Sequence, residues 1–285
     1  MIFNKAGLQK LYKPESNSSG EDNGQVTIIG GSSLFHGAPL YGLKVASRIV
    51  DMVFFASPEK SVGSIAENLK SKLFSFIWTP WNELEKYIEK SDAILIGPGF
   101  LRYTSENSTK EEREKCDDAC QLTKSITENL LAKFPNKKWV IDAGSLQTMD
   151  PKFIPKNSIL TPNKKEFKIL FNLDYSETNA KKMSFKYNCI IVVKGPVTFI
   201  FNKDEIIEVH GGNAGMTKGG TGDTQAGLTV ALLAKNNAVL AACAGAYIIK
   251  AAADELYKTK GIYYNSDDLS EIIPSILFSA VTAVK

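Results

Sequence analysis

The segment Asn213-Ala-Gly-Met-Thr-Lys-Gly-Gly-Thr-Gly-Asp-Thr-Gln-Ala-Gly227 decides how this chain is read. A glycine-rich turn at 219–223 runs straight into an apolar, alanine-rich stretch at 226–234. Glycines let backbone approach a ligand closely and take positive φ. A helix start then aims unpaired N–H groups and a positive dipole end at whatever occupies the turn. Together they make an anion site suited to phosphate. The amides of Gly220, Thr221 and Gly222 are placed to hold a phosphoryl group in transfer. Asp223 is the odd member, because a carboxylate repels phosphate. It is either an ordinary helix-start acid or a base that takes a proton from an attacking hydroxyl.

Outward from this segment, 285 residues fit one large α/β domain or two small ones, and a 44% hydrophobic content allows a sizeable core. No linker divides the chain. Residues 1–24 read as a polar arm or a loop near the ligand, and residues 25–285 as one domain. The net charge of +3 is spread over both signs, which argues against a nucleic-acid partner. The longest charged run, 110–115, reads as a solvated helix face. Four cysteines are sparse. Cys116 and Cys120 share a helix face, but two distant histidines give no metal set, and neither a metal site nor a disulfide is expected. There is no signal pattern and no apolar run of about 18 residues. The expectation is a cytoplasmic protein with no membrane partner.

Short strands alternate with helices. Strands are expected at 26–30, 52–55, 74–78, 93–96, 139–142, 158–160 and 189–193, with a hairpin of 197–202 and 205–209. Helices are expected at 38–50, 62–69, 81–88, 111–134, 165–171, 177–187, 222–235, 238–258 and 267–279. The strands are apolar throughout, as a parallel sheet buried on both faces requires. This predicts a three-layer α/β/α fold with a mostly parallel central sheet. Polar and glycine residues gather just after strands: Gly30-Gly31-Ser32, Gly97-Pro98-Gly99, Asp142, Thr161-Pro162-Asn163 and Lys194-Gly195. Ligands of open parallel sheets bind outside the carboxyl ends of the strands, so these groups can converge with the 219–223 turn on one cleft.

Each group also has a plainer reading. Asn163 followed by Glu166 is a helix capping arrangement or part of an oxygen-ligand shell for Mg2+. Lys194 through Thr198 is a solvated strand end or a wall beside a nucleotide. Asp142 caps the next turn or reaches Mg2+ through water. Gly97-Pro98-Gly99 is a simple turn or a close backbone approach to a ligand. Gly37 and Ala38 close a strand-to-helix loop or offer amides to a substrate. His36 reads as a solvent-facing loop residue.

Taken in order, GGS…GAP, GPG, DA-x-x-L, TPN-x-x-E, KG-x-x-T and GM-x-x-GGTGD-x-x-AG resemble the ribokinase-like superfamily, and within it the nucleotide-dependent NAD(P)H-hydrate dehydratases, over roughly residues 20–280. The resemblance implies repair of hydrated NADH or NADPH through transient phosphorylation of the C6 hydroxyl, with ADP or ATP as co-substrate and Mg2+ as cofactor. It implies Asp223 as catalytic base and Ala38, Gly99, Asn163 and Asp223 around the hydrated dinucleotide. Lys194, Gly195, Pro196, Val197, Thr198 and Gly222 correspond to residues around the nucleotide. Glu166 becomes a metal residue, acting through water. A cytoplasmic homo-oligomer is also implied. Asn163 stands where the family carries His, and Gly144 where it carries a second Asp. The alternative is a kinase of the same fold acting on a sugar or vitamin-like alcohol.

Overall fold

The computed structural model describes residues 1–103 and 116–282. Nine strands form one sheet in the order β3-β2-β1-β4-β5-β6-β7-β8-β9. They are β1 (Gln25–Ile29), β2 (Met52–Ala56), β3 (Ile77–Trp78), β4 (Ala93–Ile96), β5 (Lys138–Ile141), β6 (Ile159–Leu160), β7 (Ile190–Val193), β8 (Thr198–Asn202) and β9 (Glu205–Val209). Pairing is parallel from β3 to β7 and antiparallel through the β7-β8-β9 edge. Ten α-helices occur among the described residues: α1 (Gly37–Ala46), α2 (Lys60–Leu69), α3 (Leu84–Lys90), α4 (Asp118–Lys133), α5 (Ala143–Thr148), α6 (Lys164–Phe171), α7 (Glu177–Tyr187), α8 (Thr221–Lys235), α9 (Ala238–Lys260) and α10 (Ser266–Thr282).

The all-apolar strands explain the layering. In β4, Ala93 and Leu95 join one core with α1, α8, α9 and α10, while Ile94 and Ile96 join the other with α3 to α7. Successive side chains point to opposite faces, so a strand covered by helices on both sides needs apolar residues at every position. The expected three-layer architecture is therefore present.

Four differences from the sequence reading have local causes. The strand expected at 74–78 shrinks to Ile77–Trp78, which pairs only with Phe54 and Phe55 at the sheet edge. The helix expected at 81–88 opens as a 3-10 turn, Trp81–Glu83, after Pro80. The helix expected at 111–134 is present from Asp118; residues 104–115 lie outside the described residues. Cys116 and Cys120, expected to stay unbridged, are joined in a disulfide. Cys116 sits just before α4 rather than on it, and the turn capped by Asp117 brings the two Cα atoms to 5.1 Å, within bridging range.

The arm packs against the body. Its 3-10 turn, Lys5–Lys10, buries Leu8 completely, and Gln9 donates its side-chain amide to the Ala280 carbonyl at 2.7 Å. Leu11 to Pro14 border a cavity of about 470 Å³ with the carboxyl end of α8 and with α10. Among the described residues no helix is long and apolar enough to cross a membrane.

One helix crossing sets the position of everything that follows. α1 and α8 meet at Gly42 and Gly227, where a Cβ on Gly227 would lie 2.3 Å from the Gly42 Cα. The contact leaves no space for a methyl group and brings the first turns of both helices side by side. Gly227→Ala is expected to destabilise the fold by about 1–3 kcal/mol, the usual cost of overpacking. A Cβ on Gly42 meets only ordinary contacts, from 3.4 Å to Leu95, so Gly42→Ala is expected to be neutral or slightly stabilising. Denaturant midpoints at unchanged slope read both.

Candidate active site

Five neighbouring parallel strands, β1, β4, β5, β6 and β7, end along one edge, and the residue after each of the last four still donates to its neighbour. Gly97 N donates to Ile29 O at 3.0 Å, Asp142 N to Ile96 O at 3.1 Å, Thr161 N to Ile141 O at 3.1 Å and Lys194 N to Pro162 O at 2.9 Å. The ladder thus extends one residue beyond the strands and holds the loops in register. Sequence order reverses direction between β1 and β4, the switch point where open sheets bind ligands. The glycines here are steric requirements. A Cβ on Gly97 (φ 115°) would fall 2.0 Å from Asp142 O, and one on Gly99 (φ 77°) 2.5 Å from Phe35 O. A Cβ on Gly144 would fall 2.3 Å from Phe100 O, which is why no second acid fits beside Asp142. Ala143 is held at φ 47°, a strained conformation at the cleft.

Above this edge, α8 begins at Gly220, whose φ of 88° places it in the left-handed region. Three bonds fix the turn. Ser266 Oγ donates to Gly219 O at 2.9 Å, Thr221 Oγ1 to Lys218 O at 3.0 Å and Thr224 N to Gly220 O at 2.9 Å. Among the described residues no side chain caps α8. The contrast is α6, where Asn163 Oδ1 accepts from the amides of Lys165 and Glu166 at 2.9 Å each, and Glu166 Oε2 accepts from Asn163 N at 2.8 Å. The start of α6 is closed by its own capping box; the start of α8 is open to an anion.

Between these two helix starts lies a charged cluster. Lys194 Nζ donates to Asp142 Oδ1 at 2.8 Å and stands 3.9 Å from Glu166 Oε2. A Cβ on Gly222 would lie 3.3 Å from the same ammonium, which puts it beside the first turn of α8. Burial opposes the charge on Lys194, yet Asp142 and Glu166 hold its pKa above the usual lysine value. Burial pushes Glu166 up. Asp223, half-buried, is raised to about 7, chiefly by desolvation and then by Asp142, with Lys194 working against the shift. A carboxylate that titrates near neutrality suits a general base.

Two cavities meet at this turn. The smaller, about 310 Å³, is lined by Ala38, Gly99 and Asp223. The larger, about 800 Å³, is lined by Lys194, Gly195, Pro196, Thr198, Gly220, Thr221 and Gly222. Asn163, read from the resemblance as a dinucleotide contact, borders the larger cavity. Val197 borders neither of them. His36 hydrogen-bonds Ser61 at the surface. Sequence reasoning missed Arg102 and Tyr103 in the smaller cavity, where Arg102 Nη2 donates to Tyr103 Oη at 2.7 Å. It also missed Lys250 in the larger one. The signal for Lys250 was available, since it is the one charged residue between 238 and 253.

The acids are engaged with the protein rather than free to coordinate Mg2+ directly. Both Glu166 oxygens accept hydrogen bonds, from Gln147 Nε2 at 3.1 Å and Asn163 N at 2.8 Å, and Asp142 faces Lys194. Among the described residues no group of three His, Cys, Asp or Glu is arranged to bind a metal.

Comparison with known proteins gives the cleft a context. A family model described as NAD(P)H-hydrate dehydratase matches residues 26–275. The bifunctional NAD(P)H-hydrate repair enzyme Nnr of Methanocaldococcus jannaschii is 36% identical over 281 residues, covering 95% of this chain and 51% of that protein. The chain thus spans about half the length of the curated relatives it matches first. A ribokinase-like superfamily protein from Enterococcus faecalis superposes with a TM-score of 0.78 at 23% identity, covering 98% of this chain and 95% of that one. The ADP/ATP-dependent NAD(P)H-hydrate dehydratase from Bacillus subtilis, co-crystallized with ATP/Mg2+, superposes with a TM-score of 0.74 at 20% identity, covering 98% of both. At these identities the two structures show the ribokinase-like fold.

The elevated Asp223 pKa has a consequence for stability. Unfolded, this carboxyl titrates near 3.8; folded, near 7. Between those values the folded state holds a proton that the unfolded state has lost, so stability falls as pH rises through that window. Asp223→Asn cannot titrate. The Tm gain of the Asn variant over the parent is expected to be small near pH 4, to grow towards pH 7 and to level off above it, as thermal unfolding at matched ionic strength will read.

Proposed function

The chain belongs to the NAD(P)H-hydrate dehydratase family, and from that premise we propose that it dehydrates hydrated NADH or NADPH, with ADP or ATP as phosphoryl donor. The observation that carries this reading is the position of Asp223, on the wall of the smaller cavity, one residue from Gly222 on the wall of the larger. A hydroxyl in one chamber and a terminal phosphate in the other meet at the uncapped start of α8.

The proposed chemistry follows from that placement. The Asp223 carboxylate takes the proton of the C6 hydroxyl. The oxygen attacks the terminal phosphorus of the nucleotide, a P–O bond forms, and the bond to the spent nucleotide breaks. Amides of the 220–222 turn and the Lys194 ammonium balance charge on the moving phosphoryl group. The ring nitrogen lone pair then expels phosphate, a far better leaving group than hydroxide. Loss of a proton from C5 restores the reduced nicotinamide ring. The products are NADH or NADPH, phosphate and the shortened nucleotide. In this reading Mg2+ arrives on the nucleotide phosphates, not on a protein carboxylate. Residues 25–285 act as the domain that does this work, with 1–24 as an arm on its flank. The protein acts as a cytoplasmic homo-oligomer, where reduced nicotinamide cofactors turn over.

The deciding experiment incubates the protein with hydrated NADH or NADPH, Mg2+ and either ADP or ATP, and follows the reduced-nicotinamide absorbance. Recovery of that band is expected with one of the nucleotides. Failure with both, and accumulation of a stable phosphorylated alcohol in a substrate screen, replaces this reading with a kinase. Asp223 must be ionised to accept a proton, so kcat/KM, which reports the unliganded enzyme, is expected to rise with pH through about 7 and flatten above. Asp223→Asn is expected to lower kcat by about 10²-fold or more, with nucleotide affinity largely kept.

A further inference from the structure

α9 crosses behind the larger cavity, and its Lys250 side chain is almost fully buried, with 4% exposure. Burying an ammonium is costly unless each donor finds a partner. Here all three do. Lys250 Nζ donates to Gly195 O at 3.2 Å, Pro196 O at 2.7 Å and Gly211 O at 2.9 Å. These carbonyls come from two different loops, the β7–β8 connection and the segment after β9, and both loops wall the larger cavity. Among the described residues no carboxylate forms an ion pair with this cation, although Asp254 is near enough to favour its charge. Asp254, one turn along α9, accepts instead from Gly212 N at 2.9 Å and from Asn213 Nδ2 at 3.3 Å. Asn213 also donates to Ala253 O at 3.0 Å. One turn of α9 therefore grips the 211–213 segment by a carbonyl, an amide and a side chain, and Lys250 ties that segment to the 195–196 loop. The approach is close: a Cβ on Gly212 would lie 3.2 Å from Lys250 Cγ and 2.5 Å from Met216 Sδ.

We propose that Lys250 is a positioning residue for the nucleotide: its ammonium acts as a tethered cation that locks the 195–196 and 211–213 loops into the shape that receives the phosphoryl donor. The inference rests on the nucleotide occupying the larger cavity. All three Lys250 donors are spent on backbone carbonyls. Lys250 acts through these carbonyls, and its loss frees two loop segments whose oxygens then repel one another. A small cation supplied from solution can take the place of the missing ammonium.

Two variants test this by calorimetric titration with ADP and with ATP. Wild type must first bind one of them; if it binds neither, the nucleotide reading itself fails and this inference falls with it. In Lys250→Met, which keeps the stem and loses the donors, nucleotide Kd is expected to rise about tenfold or more, while in steady-state turnover kcat at saturation and KM for the hydrated dinucleotide change by less than threefold. In Lys250→Ala, ammonium chloride is expected to restore nucleotide affinity several-fold over sodium chloride at equal ionic strength. That comparison stands on its own if the Met variant folds poorly. Wild-type nucleotide affinity in the Met variant, equal loss on both substrates, or no difference between ammonium and sodium would each overturn the proposal.

Discussion

The Lys194 ammonium is the constraint on which the cleft depends. Asp142, Glu166 and Asp223 approach one another from β5, α6 and α8, and like charges brought together in a partly buried place repel. One cation among them lets the strand end and the two helix starts coexist. Removing one partner from such a cluster is far more damaging than never having had it. The same cation keeps the Asp223 pKa from climbing further, so a proton can leave it near neutral pH. Charge balance and readiness to accept a proton are one arrangement here.

Around that cluster the structure is held by backbone more than by side chains. Glycines at 97, 99, 144 and 227 stand where another chain segment passes too near for a Cβ. The strand ladder continues one residue past each of four strand ends. Rigid surroundings of this kind fix donors in advance, which is what makes oriented amides effective towards a moving phosphoryl group. The disulfide at the start of α4 and the Asp117 cap add a further local restraint at that helix start.

Much of this was legible in the sequence because it rests on period and punctuation. Apolar runs of four or five residues separated by amphipathic stretches specify a two-sided parallel sheet, and a glycine-rich turn before an alanine-rich run specifies an open helix start. What was not legible depends on contacts between distant segments. Nothing local tells whether Asn163 faces a cavity or caps its own helix; its Oδ1 caps α6 and the residue also borders the larger cavity. Nothing local assigns Lys194 to Asp142, 52 residues away. The strand at 74–78 shortened because an edge has one neighbour, and the sequence pattern does not say which strand is the edge. The Cys116–Cys120 bridge escaped because a four-residue spacing reads as a helix face, whereas Cys116 lies before the helix. Lys250 carried a visible signal, a lone charge in an apolar helix, whose meaning needed the two loops it joins.

The borders of the sheet close in different ways. At one side β3 contributes only two residues. At the other, β9 is flanked by the first residues of the arm: Glu208 N donates to Met1 O at 2.8 Å, Phe3 N donates to Glu208 O at 2.9 Å, and the Met1 amine donates to Ile206 O at 3.0 Å. An unpaired strand is a template on which a second molecule can add its own, and proteins shorten or cover such strands to prevent it. The first residues of the arm thus cover part of the β9 edge, leaving fewer open backbone groups there for another strand to pair with.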